Sequence, residues 1–318
     1  MKPLPVESRP EAIVGNVDVW SLIIDYLPVL VLSYVVVLIV TPLFRKLAIA
    51  TDVVDRPDVG RKIHKSATPY LGGVAVFVGI LAGIAASYVL VGGEPPAYRP
   101  LPVSIVGGMV AIAFTGLADD VWGWDPRLKI AGQLVAAALL ALNDIGTRVA
   151  AGLLDYLFGL SSLEYMIPFV DISLNMTEWI GTAIIAIFVL GGCNASNLID
   201  GLDGLLSGTV AIIAMGLLAL SIAVAVHLTP VDVMIIASTM PEQMVADEGA
   251  TLAGARIVLC MALLGAVLGF LPYNFNPARI FLGDCGSLLL GYLCIVIILM
   301  LGEQGETHLV LAGLIVFG

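Results

Sequence analysis

Charge is what this sequence has least of. Of its 318 residues only 12% are charged while 59% are hydrophobic, a balance that no single water-soluble core could enclose. The charge that remains is skewed, with 14 Lys and Arg against 25 Asp and Glu and a formal net charge of -11. That argues against nucleic acid as a partner, because a phosphate backbone demands a basic footprint. The 4 cysteines, Cys193, Cys260, Cys285 and Cys294, show no CxxC spacing and lie in or beside apolar segments, so buried free thiols are expected. The first twenty residues hold Pro3, Pro5, Pro10, Glu7, Glu11 and Asp18. They offer no basic region leading into a short apolar core and no small-residue cleavage pattern, so the first span is itself the targeting element. No long repeat, low-complexity segment or domain boundary divides residues 1–318, which read as a single multi-span membrane domain.

Long apolar runs are abundant. A helix needs about 20 apolar residues to cross a hydrocarbon core, and such runs lie near 21–42, 70–91, 101–118, 128–143, 178–192, 205–227, 250–271 and 287–301. Eight spans are therefore expected, some short or tilted, in an all-α polytopic bundle. A further run from Leu309 to Gly318 is too short to span, and a continuation of the native chain beyond Gly318 is expected. Within the second span, "GILAG" from Gly79 to Gly83 fits a small-xxx-small helix contact. The stretch from Gly146 to Met176 mixes aromatic and β-branched residues with Gly and Pro, and can hold a hairpin.

Lys and Arg beside spans mark the cytoplasmic side. If the first span enters from outside, the inner loops, at about 43–69, 118–128, 194–204 and 272–286, carry or adjoin Arg45, Lys46, Arg56, Arg61, Lys62, Lys65, Arg127, Lys129 and Arg279. The outer segments carry Lys2, Arg9, Arg99, Arg148 and Arg256, so nine of the 14 basic residues are inside. In this orientation four polar segments share the inner face: "DRPDVGRKIHKSATPYLGG" (55–73), "ADDVWGWDPRLK" (118–129), "NASNLIDGLDGL" (194–205) and "NFNPARIFLGDCGS" (274–287).

Each segment has two readings. Asp119 and Asp120 are adjacent carboxylates at a span end; near low dielectric they call for a cation or a shared proton, and otherwise they belong to a solvated loop. Asn194, Asn197 and Asp200 are spaced three apart on one side of a helix, and Gly201 and Gly204 let the backbone turn beside Asp203. Carboxylates with amide oxygens suit Mg2+, which takes few protein ligands and adds substrate phosphates; the alternative is interhelical polar glue. Asp284 in "FLGDCGS" is a metal ligand or a helix N-cap. The basic residues of the first loop can meet lipid headgroups or hold a diphosphate, and His64 is a ligand, a proton carrier or an ordinary loop histidine. Together the segments suit metal-assisted phosphoryl transfer between a soluble charged substrate and a lipid-borne one.

Four motifs in this order resemble the polyprenyl-phosphate N-acetylhexosamine-1-phosphate transferases, the superfamily that includes MraY, from about Leu43 to the end of the chain. "NLIDGLDGL", "DPRLKIAGQ" and "NPARIFLGDCGS" are more similar to the WecA and TagO branch, which uses UDP-N-acetylglucosamine. In the peptidoglycan branch a threonine would stand at Ile199 and a lysine soon after the paired aspartates. The resemblance implies an MraY-like helical bundle with a cytoplasmic-face cleft, in the bacterial inner membrane. It implies a reaction in which undecaprenyl phosphate attacks the β-phosphate of a UDP-N-acetylhexosamine, giving undecaprenyl-diphospho-sugar and UMP, with Mg2+ required and Mn2+ able to substitute. Carried over, Asp119 and Asp120 match the catalytic pair, with Asp119 the candidate base, and Asp284 and Asn197 match metal ligands. Asp200, Asp203 and Asn194 match substrate-binding positions, while Lys129, Arg61, Lys62, His64 and Arg279 fall where phosphate contacts are expected. Direct attack is favoured over an aspartyl intermediate, since a carboxylate that shares a cation is a poor nucleophile. The expected partners are the two substrates and membrane lipids, and a homodimer is compatible with the reading. The family's histidine-rich motif after a ninth span has no counterpart before Gly318. The alternatives are a phospho-MurNAc-pentapeptide transferase and, from another class, an ion-coupled transporter, whose site would lie near the midplane of repeated halves.

Overall fold

The computed structural model describes residues 19–55, 68–90, 101–147, 164–167, 172–239, 252–302 and 307–318, with residues 149, 152, 156 and 159 between. The helices are α1 (Val19–Ala50), α2 (Gly72–Leu90), α3 (Val103–Trp122), α4 (Pro126–Ala141), α5 (Met176–Ile199), α6 (Leu205–Thr239), α7 (Ala253–Asn274), α8 (Gly283–Leu301) and α9 (Thr307–Phe317). Two short antiparallel pairs accompany them: β1 (Val54–Asp55) with β2 (Thr68–Pro69), and β3 (Glu164–Ile167) with β4 (Ile172–Asn175). The second pair is the hairpin that the composition of 146–176 allowed.

Among the described residues seven helices, α1 to α3 and α5 to α8, are long and apolar enough to cross a bilayer. The protein is a multi-pass membrane protein. The eighth expected span is α4, whose 16 residues rise only about 24 Å against a hydrocarbon core of about 30 Å. Its start is fixed locally: Asp125 caps it by accepting from the Arg127 N–H at 2.8 Å, and Pro126 follows at the first helical position.

α8 is the centre of the bundle, with 94% of its apolar window enclosed, against 22% for α1 at the periphery. It packs against α3, α5 and α2, with α9, α6 and α7 completing its surround. Lipid supplies no hydrophobic drive between helices, so close backbone approach has to hold them. Gly79 and Gly83 of α2 meet Val37 and Ser33 of α1, where a Cβ would come within 2.1 and 2.0 Å, and Ser33 Oγ donates to the Gly79 carbonyl at 3.0 Å. A second such pair, Gly265 and Gly269 of α7, faces the α1 backbone at Leu30 and Tyr34. Pro42 lacks the N–H that would bond the Leu38 carbonyl; the Tyr273 hydroxyl of α7 donates to that oxygen at 2.9 Å instead. At the end of α8 remote from Asp284, buried Arg256 donates from Nη1 to the Met300 carbonyl at 2.7 Å, satisfying one of the last carbonyls of that helix. All 4 cysteines are buried and free.

Candidate active site

Four helix ends meet at one end of the bundle. α3 finishes with Asp119 and Asp120 and stops where Gly123 takes a left-handed conformation at φ 62°, its N–H bonding the Asp119 carbonyl at 2.8 Å. α4 contributes Lys129 from its first turn, α5 contributes Asn194 and Asn197 from its last turns, and α8 begins at Gly283 and Asp284. α3, α4 and α5 pack in series, and α3 and α5 both pack on α8, so the four termini face one another.

The first turn of α8 is held in a tight cradle. A Cβ on Gly73 would stand 2.1 Å from the Gly286 nitrogen, and one on Gly116 would stand 2.4 Å from the Cys285 nitrogen and 2.5 Å from the Asp284 carbonyl oxygen. Gly283 has φ +68°, and a side chain there would collide with Asp120 Oδ2 at 2.6 Å. Through this approach Asp120 reaches the open N–H groups of the helix: Oδ1 accepts from the Asp284 N–H at 2.8 Å and Oδ2 from the Cys285 N–H at 3.0 Å. The N-cap of α8 is thus supplied by another helix. Leu282, at the cap position itself, makes no side-chain cap bond, and Asp284 lies inside the first turn.

Asp284 is consequently free to face its neighbours. Its Oδ1 accepts from Asn197 Nδ2 at 2.8 Å, and the same amide donates to Ser287 Oγ at 2.9 Å. Lys129 Nζ bonds Asp284 Oδ2 and sits 2.6 Å from Asp119 Oδ2. The three side chains are 22% (Asp284), 26% (Lys129) and 18% (Asp119) exposed, open enough for a ligand to reach them. Beside them, burial and then the negative charges of Asp284 and Asp120 push the Asp200 carboxyl up to about 8. Tyr70 is pushed well above its usual range by burial and by Asp55, whose carboxylate accepts its hydroxyl hydrogen.

The remaining expected residues have more distant tasks. Asn194 Nδ2 donates to Gln133 Oε1 at 3.1 Å and to the Leu190 carbonyl at 2.7 Å, tying α5 to α4 below Lys129. Asp203 Oδ2 accepts from the Ala278 N–H at 2.9 Å and from Asn276 Nδ2 at 3.2 Å, latching the segment that leads into α8. Of the two glycines expected to turn beside it, Gly204 has the left-handed backbone, at φ +73°. Arg279 is exposed, and its carbonyl accepts from Arg45 Nε at 3.0 Å. Arg61, Lys62 and His64 lie outside the described residues. The segment that carries them is bracketed by β1 and β2, and β2 is tied to the approach to α8 by the Phe281 N–H donating to the Pro69 carbonyl at 2.8 Å. Gln133 and Ser287 were given no task by the sequence; the only signal was a polar residue inside an apolar helix.

The donor set fits a hard divalent cation. Asp119 and Asp284 each turn one oxygen toward a single point that the Lys129 ammonium fills. Among the described residues no three Asp, Glu, His or Cys side chains enclose an ion by themselves; a Mg2+ ion here would need water and phosphate to complete its shell.

Comparison with known proteins gives a consistent set of similarities. Residues 102–302, which include α3 to α8, match glycosyl transferase family 4. The chain is 30% identical over 263 residues to a Bacillus subtilis protein named "Probable undecaprenyl-phosphate N-acetylglucosaminyl 1-phosphate transferase", covering 82% of this chain and 59% of that one. It is 30% identical over 256 residues to the decaprenyl-phosphate N-acetylglucosaminephosphotransferase of Mycolicibacterium smegmatis, covering 78% and 51%. It is 31% identical over 276 residues to the phospho-N-acetylmuramoyl-pentapeptide-transferase of Bacillus cytotoxicus, covering 83% and 70%. The chain thus spans between half and three-fifths of the length of the first two relatives.

Proposed function

The chain belongs to glycosyl transferase family 4, and from that premise we propose that it transfers N-acetylhexosamine-1-phosphate from a UDP-sugar to undecaprenyl phosphate, releasing UMP. The observation that carries this is the convergence of Asp119, Lys129, Asn197 and Asp284 from four helix termini at one end of the bundle. A site there serves a soluble nucleotide sugar and a lipid phosphate at once, as a midplane transport site would not. With the basic-residue orientation, that end faces the cytoplasm of a bacterial inner membrane.

In the reaction a lipid phosphate oxygen forms a bond to the β-phosphorus of the UDP-sugar while the bond from that phosphorus to the UMP oxygen breaks. Asp119, with its partly exposed carboxylate, takes the proton from the lipid phosphate or aligns its oxygen. Asp284, with the Asn197 amide as second ligand, would hold Mg2+, which would supply neutralisation of the diphosphate charge. Lys129 contributes a mobile positive charge for phosphate oxygens. Asn197 and Ser287 fix the orientation of Asp284. Asp120, expected with Asp119 as the catalytic pair, has both oxygens committed to the α8 backbone, and we assign it a positioning role. Asp203 and Asn194 shape the nucleotide-sugar side by holding 276–278 and the α4 contact.

The donor sugar is proposed to be UDP-N-acetylglucosamine on the strength of the motifs, with Ile199 at the position where the peptidoglycan branch carries threonine. The similarity to a pentapeptide transferase supports UDP-MurNAc-pentapeptide as the second reading. Purified protein offered both donors separately with undecaprenyl phosphate and Mg2+ decides between them: UMP release with UDP-N-acetylglucosamine alone is expected. Release with the pentapeptide donor alone would reverse the assignment, and release with neither would remove the proposed activity.

A further inference from the structure

Lys129 occupies an unusual place. Its ammonium bonds the Oδ2 atoms of both Asp119 and Asp284, while Asp284 Oδ1 and both oxygens of Asp120 are already engaged by donors. The two inward carboxylate oxygens therefore share one cation, and that cation belongs to the chain. A divalent metal held by Asp284 would need the oxygen that the ammonium now occupies, so Lys129 would have to leave it. Lysine is a compact charge on a flexible four-carbon stem, and this one is 26% exposed, with solvent into which it can swing. Once displaced, it needs another anion, and the diphosphate of the nucleotide sugar is the anion that enters this site.

Resting on the metal and substrate reading above, we propose that Lys129 is a resident counter-cation that the metal must displace, so that metal and diphosphate bind with mutual assistance. Without diphosphate, metal binding sets the ammonium free with no partner in the site. With diphosphate, the ammonium exchanges two carboxylates for phosphate oxygens, and the metal gains phosphate ligands besides. Linkage makes the effect reciprocal: the metal strengthens diphosphate binding by the same factor. Lys129 thereby holds the acids together in the resting protein and makes the loaded state depend on substrate.

The test reads metal binding and not turnover. Full-length protein in detergent is titrated with Mn2+, free ion being followed by electron paramagnetic resonance, with and without saturating UDP. Four proteins are compared with the native chain: Lys129→Met, Lys129→Arg, Asp284→Asn and, as a charge control on the exposed start of α4, Arg127→Gln. The native chain is expected to bind Mn2+ about tenfold tighter or more when UDP is present, within the range typical of coupled sites. Lys129→Met is expected to bind Mn2+ about tenfold tighter than native without UDP, with the UDP effect reduced to about twofold. Lys129→Arg and Arg127→Gln should both keep the weak nucleotide-free affinity. The proposal is overturned if Lys129→Met leaves that affinity unchanged or weaker, or if Arg127→Gln or Lys129→Arg strengthens it as much. Mn2+ binding that Asp284→Asn abolishes but Lys129→Met does not alter removes this inference and leaves the metal site standing. No Mn2+ binding by any of the proteins, with or without UDP, removes both.

Discussion

Asp120→Asn separates a positioning carboxylate from a catalytic one. The native side chain accepts two backbone N–H bonds at the start of α8, from Asp284 at 2.8 Å and Cys285 at 3.0 Å. An asparagine keeps one acceptor oxygen and turns an NH2 toward the second N–H, so one charge-assisted bond is lost, the other is weakened, and two donors face each other. Hydrogen bonds to charged groups contribute about 1.5–3 kcal/mol each, and the loss should total about 2–4 kcal/mol. Part of this appears as a lowered unfolding midpoint. The rest appears at Asp284, whose own N–H is one of the two released, and whose misplacement by 1 Å can cost about a hundredfold in rate. Thermal unfolding in detergent, Mn2+ titration in the presence of UDP and kcat at saturating Mg2+ should therefore all decline together. Asp120→Ala, which removes both acceptors, should lie further along the same line. An Asp120→Asn protein with native stability and native Mn2+ affinity, yet hardly any turnover, would refute the positioning role and place Asp120 on the reacting atoms.

Gly116→Ala puts a methyl group 2.4 Å from the Cys285 nitrogen, a backbone atom that cannot swing aside, and should cost about 1–3 kcal/mol or more of stability. Gly191→Ala, with nothing within 4 Å of the added atom, should be neutral or slightly stabilising in the same unfolding assay. Asp203→Ala releases the Ala278 N–H and Asn276 and should raise KM for the UDP-sugar more than it lowers kcat, with faster proteolysis near 275–280. Asp119→Asn should lower kcat by orders of magnitude with little change in UDP-sugar affinity measured by calorimetry; parallel losses would contradict its role as base. Asp200 gives a pH signature in metal-free protein. Its folded carboxyl titrates at about 8 against about 4 when unfolded, so between these values the folded state binds the extra proton and stability falls as pH rises. Asp200→Asn should flatten that fall, gaining on the native midpoint at pH 9 and not at pH 4; an unchanged slope would show that the carboxyl is already ionised.

The membrane architecture was legible in the sequence because apolar length alone signals a span, and the Gly79 and Gly83 contact was legible from its spacing. α4 was over-read. Its apolar run from 128 to 143 passes for a span by composition, while the Asp125 cap and the helix end at Ala141 leave it 16 residues long. The acids of the site were legible as polar groups at span ends, but their partners were not. Asp120 and the Asp284 N–H are 164 positions apart, and periodicity shows which face a residue occupies without showing which helix end it meets. For that reason Asp284 could be read as a cap when the cap comes from Asp120, and the bonds of Asp203 Oδ2 to Ala278 and Asn276 could not be foreseen. The second glycine pair at 265 and 269 carries the same spacing as the first, and a uniformly apolar run hides it.

The meeting point of α3, α4, α5 and α8 is proposed to perform metal-dependent phosphosugar transfer. The most direct test follows UMP and lipid-linked sugar together, in vesicles holding undecaprenyl phosphate, for the native chain and for Asp284→Asn shown to be folded by its unfolding transition. Equal amounts of the two products from the native protein, dependent on Mg2+ and absent with Asp284→Asn, are predicted. Turnover that survives chelation or the Asp284→Asn change would contradict the account.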